Sequence, residues 1–255
     1  MKLVLCENDK ILGKKSAEHI AGSINQAIEK KGCARVIFST GASQFAMFEN
    51  LFEADIDWSK VEFFHLDEYI GITQEHPASF IKYLKERFIS KLKVGLKKVN
   101  FVDVSIGAEK IIAELSEEVN REPVDLGVIG IGENAHIAFN DPPADFDCDE
   151  PFKIVKLDEA CRRQQWGEGW FKTLEDVPET AITMTVKQIM KCDKIISVVP
   201  YKVKAKAVHD TLTAENITNV IPATVLKTHP DWTLYLDKDS ASMIDTDKLH
   251  SDYKF

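Results

Sequence analysis

The stretch LGVIGIGENAHIAFNDPP, from Leu126 to Pro143, gathers the residue types that proton transfer needs. An apolar run from Leu126 to Ile131 passes through Gly130 and Gly132, where the missing Cβ allows a sharp turn and a close approach to a ligand. Glu133, Asn134, His136, Asn140 and Asp141 follow, with apolar Ile137, Ala138 and Phe139 between them. Imidazole titrates near neutral pH, so His136 suits a proton shuttle. The competing reading is a polar loop holding an ordinary histidine. A second group is Asp67-Glu68-Tyr69, delivered by VEFFHL (Val61 to Leu66) and followed by Gly71. Adjacent carboxylates at a strand end suit acid–base work, although a helix cap or solvated turn uses the same residues. A third is Thr40-Gly41-Ala42-Ser43 after RVIFS, where a small-residue turn before a helix favours an anion. No GxxxxGK[ST] loop is present. Lys202, Lys204 and Lys206 follow KIISVV and Pro200 in the way that would neutralise a phosphate, and Arg162, Arg163, Gln164 and Gln165 are further candidate anion contacts. A surface helix accounts for the second set equally well, and a solvated helix face is the commoner explanation of the lysines.

Strands and helices alternate around these groups. Apolar spacing predicts an edge strand over Lys2–Cys6, a helix from about Leu12 to Lys31 ended near Gly32, and a strand over Arg35–Ser39. A helix from Gln44 to Phe52 and the strand Val61–Leu66 come next. His76-Pro77 precedes a helix with Ser79 near its start, then a strand over Val99–Val102 and a helix marked by Ile111, Ile112, Leu115 and Val119. After the central strand, Ile154 and Val155, Ala181–Thr185, Lys194–Val199 and Trp232–Asp237 have strand character. Thr185 is placed to cap a short helix over Val186–Lys191. Trp166 to Phe171, including Glu168, reads as a loop or lid with aromatic anchors. This alternation predicts an α/β fold, a single three-layer domain over residues 1–255 with a largely parallel open sheet, Rossmann-like. Ligands in such sheets bind beyond the carboxyl ends of the strands.

The formal charge of −9 argues against a general nucleic-acid or membrane-surface partner. The five cysteines are widely spaced with no CxxC or Cys/His metal pattern, which predicts reduced thiols in a cytoplasmic protein. The N-terminal MKLVLCENDK has too short an apolar run for a signal peptide or membrane span.

Three motifs in this order resemble the glucosamine-6-phosphate deaminase and 6-phosphogluconolactonase superfamily. They are Ser39-Thr40-Gly41 after a strand, Leu66-Asp67-Glu68-Tyr69 with Gly71, and Gly130-Ile131-Gly132 leading to His136-Ile137-Ala138-Phe139-Asn140. The likeness runs to about Ser242. DEY paired with HIAFN is similar to the deaminase branch, whereas the lactonase branch carries DER and an HTASLFP-like run. The resemblance implies the deaminase-like fold and a hydrolase and isomerase of amino sugar metabolism. That enzyme takes glucosamine 6-phosphate, or a close epimer, and water to a ketose 6-phosphate and ammonia. It needs no cofactor and no metal. Its partner is a small sugar phosphate, and members occur as monomers or homo-oligomers.

The resemblance also implies roles. His136 opens the sugar ring, Asp67 moves the C2 proton to C1, and Asp141 works with the histidine where the family usually has a glutamate. Asp67 would need partial desolvation to serve as the base, because an aspartate in water has a pKa of about 4. Ser39, Thr40, Gly41, Ala42, Ser43 and Lys204 are placed at the phosphate, with Glu68, Gly132, Ala135, Arg162 and Gln165 as further substrate contacts. Asn134-Ala135-His136 departs from the pattern Asp-Gly-His, and an asparagine brings hydrogen bonds to the relay without charge. Gln165 stands where the deaminases place an arginine. Two other readings compete with this one: a 6-phosphogluconolactonase with His136 as general base, and a non-catalytic sugar-phosphate binder, which the asparagine at Asn134 motivates.

Overall fold

The computed structural model describes residues 1–167 and 169–245, with side chains for all of these except Ala160 and Gln164. Glu168, part of the expected loop, lies outside the described residues. The chain runs β1 (Lys2–Cys6), α1 (Asp9–Lys31), β2 (Ala34–Phe38), α2 (Phe45–Leu51), β3 (Val61–Phe64), β4 (Asp67–Tyr69), α3 (Phe80–Arg87) and β5 (Lys98–Asn100). It continues through α4 (Ala108–Asn120), β6 (Leu126–Val128), β7 (Phe152–Lys156), α5 (Glu159–Gly167), β8 (Thr180–Met184) and α6 (Val186–Ile189). The last elements are β9 (Ile195–Val199), α7 (Ala205–Thr213) and β10 (Trp232–Asp237).

Local chemistry sets the boundaries. Asn8 caps α1 by accepting from the Ile11 N–H at 3.0 Å, and Gly32 ends it at φ +79°. Thr185 caps α6 by accepting from the Gln188 N–H, and Ser79 caps α3 through the Lys82 N–H.

Seven strands form one parallel sheet in the order β1-β10-β9-β6-β2-β3-β5, with β1 at its edge as expected. Alternate strand residues serve opposite faces. Val36, Phe38, Ile196 and Val198 pack with α1, α2 and α3, while Ile37, Ile195 and Val199 pack with α4, α6 and α7. Helices on both faces of a parallel sheet bury its strands completely, which is why these strands read as near-continuous apolar runs. Each such buried side chain contributes about 1.5–3 kcal/mol.

From β2 the chain moves one way across the sheet, through β3 to β5. From β6 it moves the other way, through β9 to β10. The connections after β2 and β6 therefore diverge, leaving a crevice at their carboxyl ends.

Three expectations are corrected. The strand predicted over Val61–Leu66 ends at Phe64, and Asp67–Tyr69 belongs to a second sheet of order β4-β8-β7 with antiparallel pairing. The central strand stops at Val128 rather than Ile131, because the chain must leave the sheet before the Gly130–Gly132 turn. Trp166 and Gly167 are the end of α5 and not loop.

Candidate active site

The crevice is a cavity of about 430 Å³. It draws Ser39, Thr40, Gly41, Ala42 and Ser43 from the end of β2, Asp67 from β4, Gly132, Glu133 and His136 from the turn after β6, Gln165 from α5, and Lys204 from the turn before α7. Residues spread over most of the chain thus meet at one sheet end. Pro77, Ala78, Phe80, Phe139, Trp170 and Val203 supply apolar wall between them.

The turn after β2 is fixed from three sides. The Ser39 N–H donates to the Val128 carbonyl at 2.9 Å, and the Tyr83 hydroxyl donates to the Gly41 carbonyl at 2.8 Å. Gln44, wholly buried, donates from Nε2 to the Val198 carbonyl at 3.3 Å and to Ser43 Oγ at 3.0 Å. Gly41 sits at φ +101°, which a side-chain-bearing residue adopts only with strain. Among the described residues, buried Ser39 Oγ has no hydrogen-bond partner.

The histidine turn is equally constrained. The Gly132 N–H donates to the His136 carbonyl at 2.9 Å, and the Ala135 N–H donates to the Gly132 carbonyl at 3.1 Å. The imidazole lies over Gly132 so closely that a Cβ there would stand 2.3 Å from Cε1 and Nε2. His136 Nδ1 lies 3.1 Å from Asp141 Oδ1, within ion-pair range though off the line of a well-formed hydrogen bond. Asn134 joins the two: its Nδ2 donates to Asp141 Oδ1 at 2.9 Å, and its Oδ1 accepts the His136 N–H at 3.1 Å. The buried Cys161 thiol also acts on the Asp141 carboxyl. Burial works against ionising Asp141, but the His136 ring, the Asn134 amide and the Cys161 thiol outweigh it and hold the carboxyl below the usual range.

Asp67 is held in the opposite state. Burial, then the charge of Glu68, and more weakly that of Asp141, push its pKa up to about 8, against the pull of the Phe139 N–H. Phe139 is itself anchored by donating its N–H to Thr183 Oγ1 at 3.0 Å, and Thr183 is the register partner of Asp67 across the small sheet.

Several predicted contacts lie elsewhere. Glu68 is outside the cavity wall: its carboxylate accepts from Ser79 Oγ at 2.7 Å, from the Ile81 N–H at 3.0 Å and from the Phe80 N–H at 3.3 Å. Those are the free donors at the start of α3, and only a carboxylate deep in the fold reaches them. Arg162 is also outside, donating to the carbonyls of Leu174 at 3.0 Å and Val177 at 2.9 Å, so it ties down the chain after α5. Ala135 is packed in the core at φ +65°, with its carbonyl accepting the Ala223 N–H at 2.9 Å. Asn134 and Asp141 stand behind His136 rather than in the wall. Gln165 does reach the wall, with Oε1 accepting the Tyr69 hydroxyl at 2.8 Å. Tyr83, Gln44 and Cys161 were not singled out from the sequence. Each acts through a contact more than forty positions away or from inside a helix face, so no local pattern marks it.

Among the described residues, no group of three or more His, Cys, Asp or Glu side chains is arranged to hold a metal ion, and no helix is long and apolar enough to cross a membrane.

Residues 7–235 match the family described as glucosamine-6-phosphate isomerases/6-phosphogluconolactonase. The chain belongs to this family. Within it, the chain is 32% identical to the glucosamine-6-phosphate deaminase of Thermoanaerobacter pseudethanolicus, over 98% of this chain and 97% of that one. It is 33% identical to the glucosamine-6-phosphate deaminase of Clostridium novyi, over 96% and 100%. Among solved structures, a monomeric glucosamine-6-phosphate deaminase superposes with a TM-score of 0.87 at 26% identity, covering 96% of this chain and all of that one. The 6-phosphogluconolactonase of Thermotoga maritima superposes with a TM-score of 0.75 at 18% identity, covering 92% and 98%, which is a likeness of fold.

Proposed function

We propose that this protein converts glucosamine 6-phosphate and water to fructose 6-phosphate and ammonia. The observation that carries the reading is Asp67, a buried carboxyl raised to about 8 that lines the same cavity as His136 and the phosphate-type turn Thr40–Ser43. An aldose–ketose shift needs a base far stronger than a carboxylate in water, and burial supplies that strength. The full-length deaminase relatives support the substrate class.

In this reading the phosphate lies on the Ser39–Ser43 hydroxyls and backbone, with Lys204 as its cation. His136 takes the C1 hydroxyl proton and returns a proton to the ring oxygen, which opens the ring. Asp141, kept ionised, stabilises the imidazolium that forms between the two steps, and Asn134 keeps the pair in register. Asp67, ionised beside the substrate's ammonium group, removes the C2 proton and delivers it to C1, while the ammonium group gives up one proton and the C1 carbonyl oxygen gains one to become the hydroxyl. The resulting C2 imine adds water and expels ammonia, leaving the ketose. The Gln165 amide, oriented by the Tyr69 hydroxyl, offers neutral N–H donors where a second cation would otherwise meet the phosphate. The five cysteines are free thiols, which supports a cytoplasmic setting.

The test is ammonia release from glucosamine 6-phosphate, with fructose 6-phosphate quantified in the same tube. Equal amounts of both are expected. Hydrolysis of 6-phosphogluconolactone without ammonia release would move the assignment to the lactonase reading.

A further inference from the structure

Tyr201 adopts φ +80° and ψ +144°, a region essentially reserved for glycine. It follows β9 and Pro200 directly and lines the cavity beside Val203 and Lys204. Its backbone is held at both ends. The Tyr201 N–H donates to the two carboxylate oxygens of Asp237 at 3.1 and 3.2 Å, and the Tyr201 carbonyl accepts the Lys204 N–H at 3.0 Å. Asp237 is 3% exposed and is fixed in turn by the Ser240 N–H at 2.7 Å. A chain of contacts therefore runs from the end of β10 through one strained residue to the turn over Lys202–Lys204.

The surroundings of the phenol explain what the strain achieves. Burial, and then the charges of Asp9, Asp237 and Glu49, raise its pKa, so three carboxylates lie within electrostatic reach of the ring. Tyr201 lines the cavity, and these carboxylates act on its phenol. A dianion bound next to Lys204 would otherwise share poorly screened space with them, at a cost that rises as water is excluded. A glycine would satisfy the backbone and leave that space open.

We propose that Tyr201 and Asp237 form a clamp on the phosphate end of the cavity. Asp237 is a positioning residue that holds the Tyr201–Lys204 turn, and the Tyr201 ring separates a bound phosphoryl group from Asp9, Glu49 and Asp237. The proposal rests on the sugar phosphate reading above, but its test does not require turnover.

Inorganic phosphate is the probe, titrated calorimetrically into the full chain, with steady-state kinetics on glucosamine 6-phosphate alongside. Tyr201→Gly relieves the backbone and removes the ring. It is expected to weaken phosphate binding at least fivefold and to raise KM by more than it lowers kcat. Tyr201→Phe keeps the ring and loses less affinity than Tyr201→Gly. Asp237→Asn weakens phosphate binding too, again with KM more affected than kcat. Wild-type protein that binds phosphate no more tightly than Tyr201→Gly overturns the proposal. Wild-type protein that loses phosphate affinity on Tyr201→Gly but releases no ammonia keeps the clamp and removes the deaminase assignment.

Discussion

Asp67 begins a strand of the small sheet at 7% exposure, and Asp141 lies in the turn after β6 with its side chain 10% exposed. The two are close enough that the charge of Asp141 raises Asp67, yet their own states are opposite. Asp141 is met by an imidazole and a carboxamide, with the Cys161 thiol acting on it as well, and its pKa is held below the usual range. Asp67 feels only a weaker pull from the Phe139 N–H, which donates to Thr183, and with burial and the charge of Glu68 its pKa is raised to about 8. Burial alone therefore does not decide the charge of a carboxyl; the number and kind of donors aimed at it do. Two aspartates so separated in pKa suit a base and an ionised partner in one site.

The sharpest way to break this comparison is Asp67→Asn, which is expected to lower kcat by about 10³-fold or more. The same substitution has a stability signature. The raised folded pKa means that Asp67 costs nothing below the unfolded value of about 4, and that stability is lost as pH rises through about 8. Denaturant unfolding should therefore show Asp67→Asn gaining on the wild type from pH 6 to pH 9, and equal pH dependence would contradict the assignment. For the wild-type enzyme, kcat/KM should climb on its acid side with an apparent pKa well above 6; a flat profile from pH 5 to 8 would mean that Asp67 ionises normally.

Gly132→Ala comes next in size. Its Cβ would collide with the His136 ring at 2.3 Å, and because misplacing a reacting group by about 1 Å costs on the order of 10², kcat should fall about 100-fold. A crystal structure of the variant showing the ring unmoved would refute this reason. Asn134→Ala removes one donor from Asp141 and one acceptor from the His136 N–H, worth about 1–1.5 kcal/mol, or roughly tenfold in kcat. Asp141 contributes stability above its unfolded pKa that is lost as pH falls through its depressed folded value. The variant should begin to lose that stability at higher pH, which acid-unfolding curves measure. The smallest effect is Ala135→Gly: relief of φ +65° should stabilise by about 0.5–1 kcal/mol, partly offset by the lost buried methyl, as read from denaturant midpoints.

Much of the molecule was legible in one dimension. Period and capping residues located most elements within a few positions, because an amphipathic helix or buried parallel strand needs only local regularity. Asp67, His136 and the Thr40–Ser43 turn were legible as candidates because each follows an apolar run. The second sheet was not legible: Asp67–Tyr69 is too short to show a period, and its partner Thr180–Met184 is more than a hundred residues away. Glu68 and Arg162 misled for a related reason. A charged residue beside a site reads the same whether it faces the cavity or takes the free groups of a neighbouring helix or loop.

By itself, then, the chain's order of residues determined an alternating α/β fold, the strand ends that carry chemistry, and the side chains able to move a proton or hold an anion. Only the tertiary structure decided which of two aspartates has its pKa raised and which has it lowered, that Asn134 serves Asp141, and that Tyr201 is held where glycine would be expected. The physical reason is that residue type sets what a group can donate or accept, whereas its charge and strain depend on neighbours that the sequence places far away and folding brings within hydrogen-bond distance.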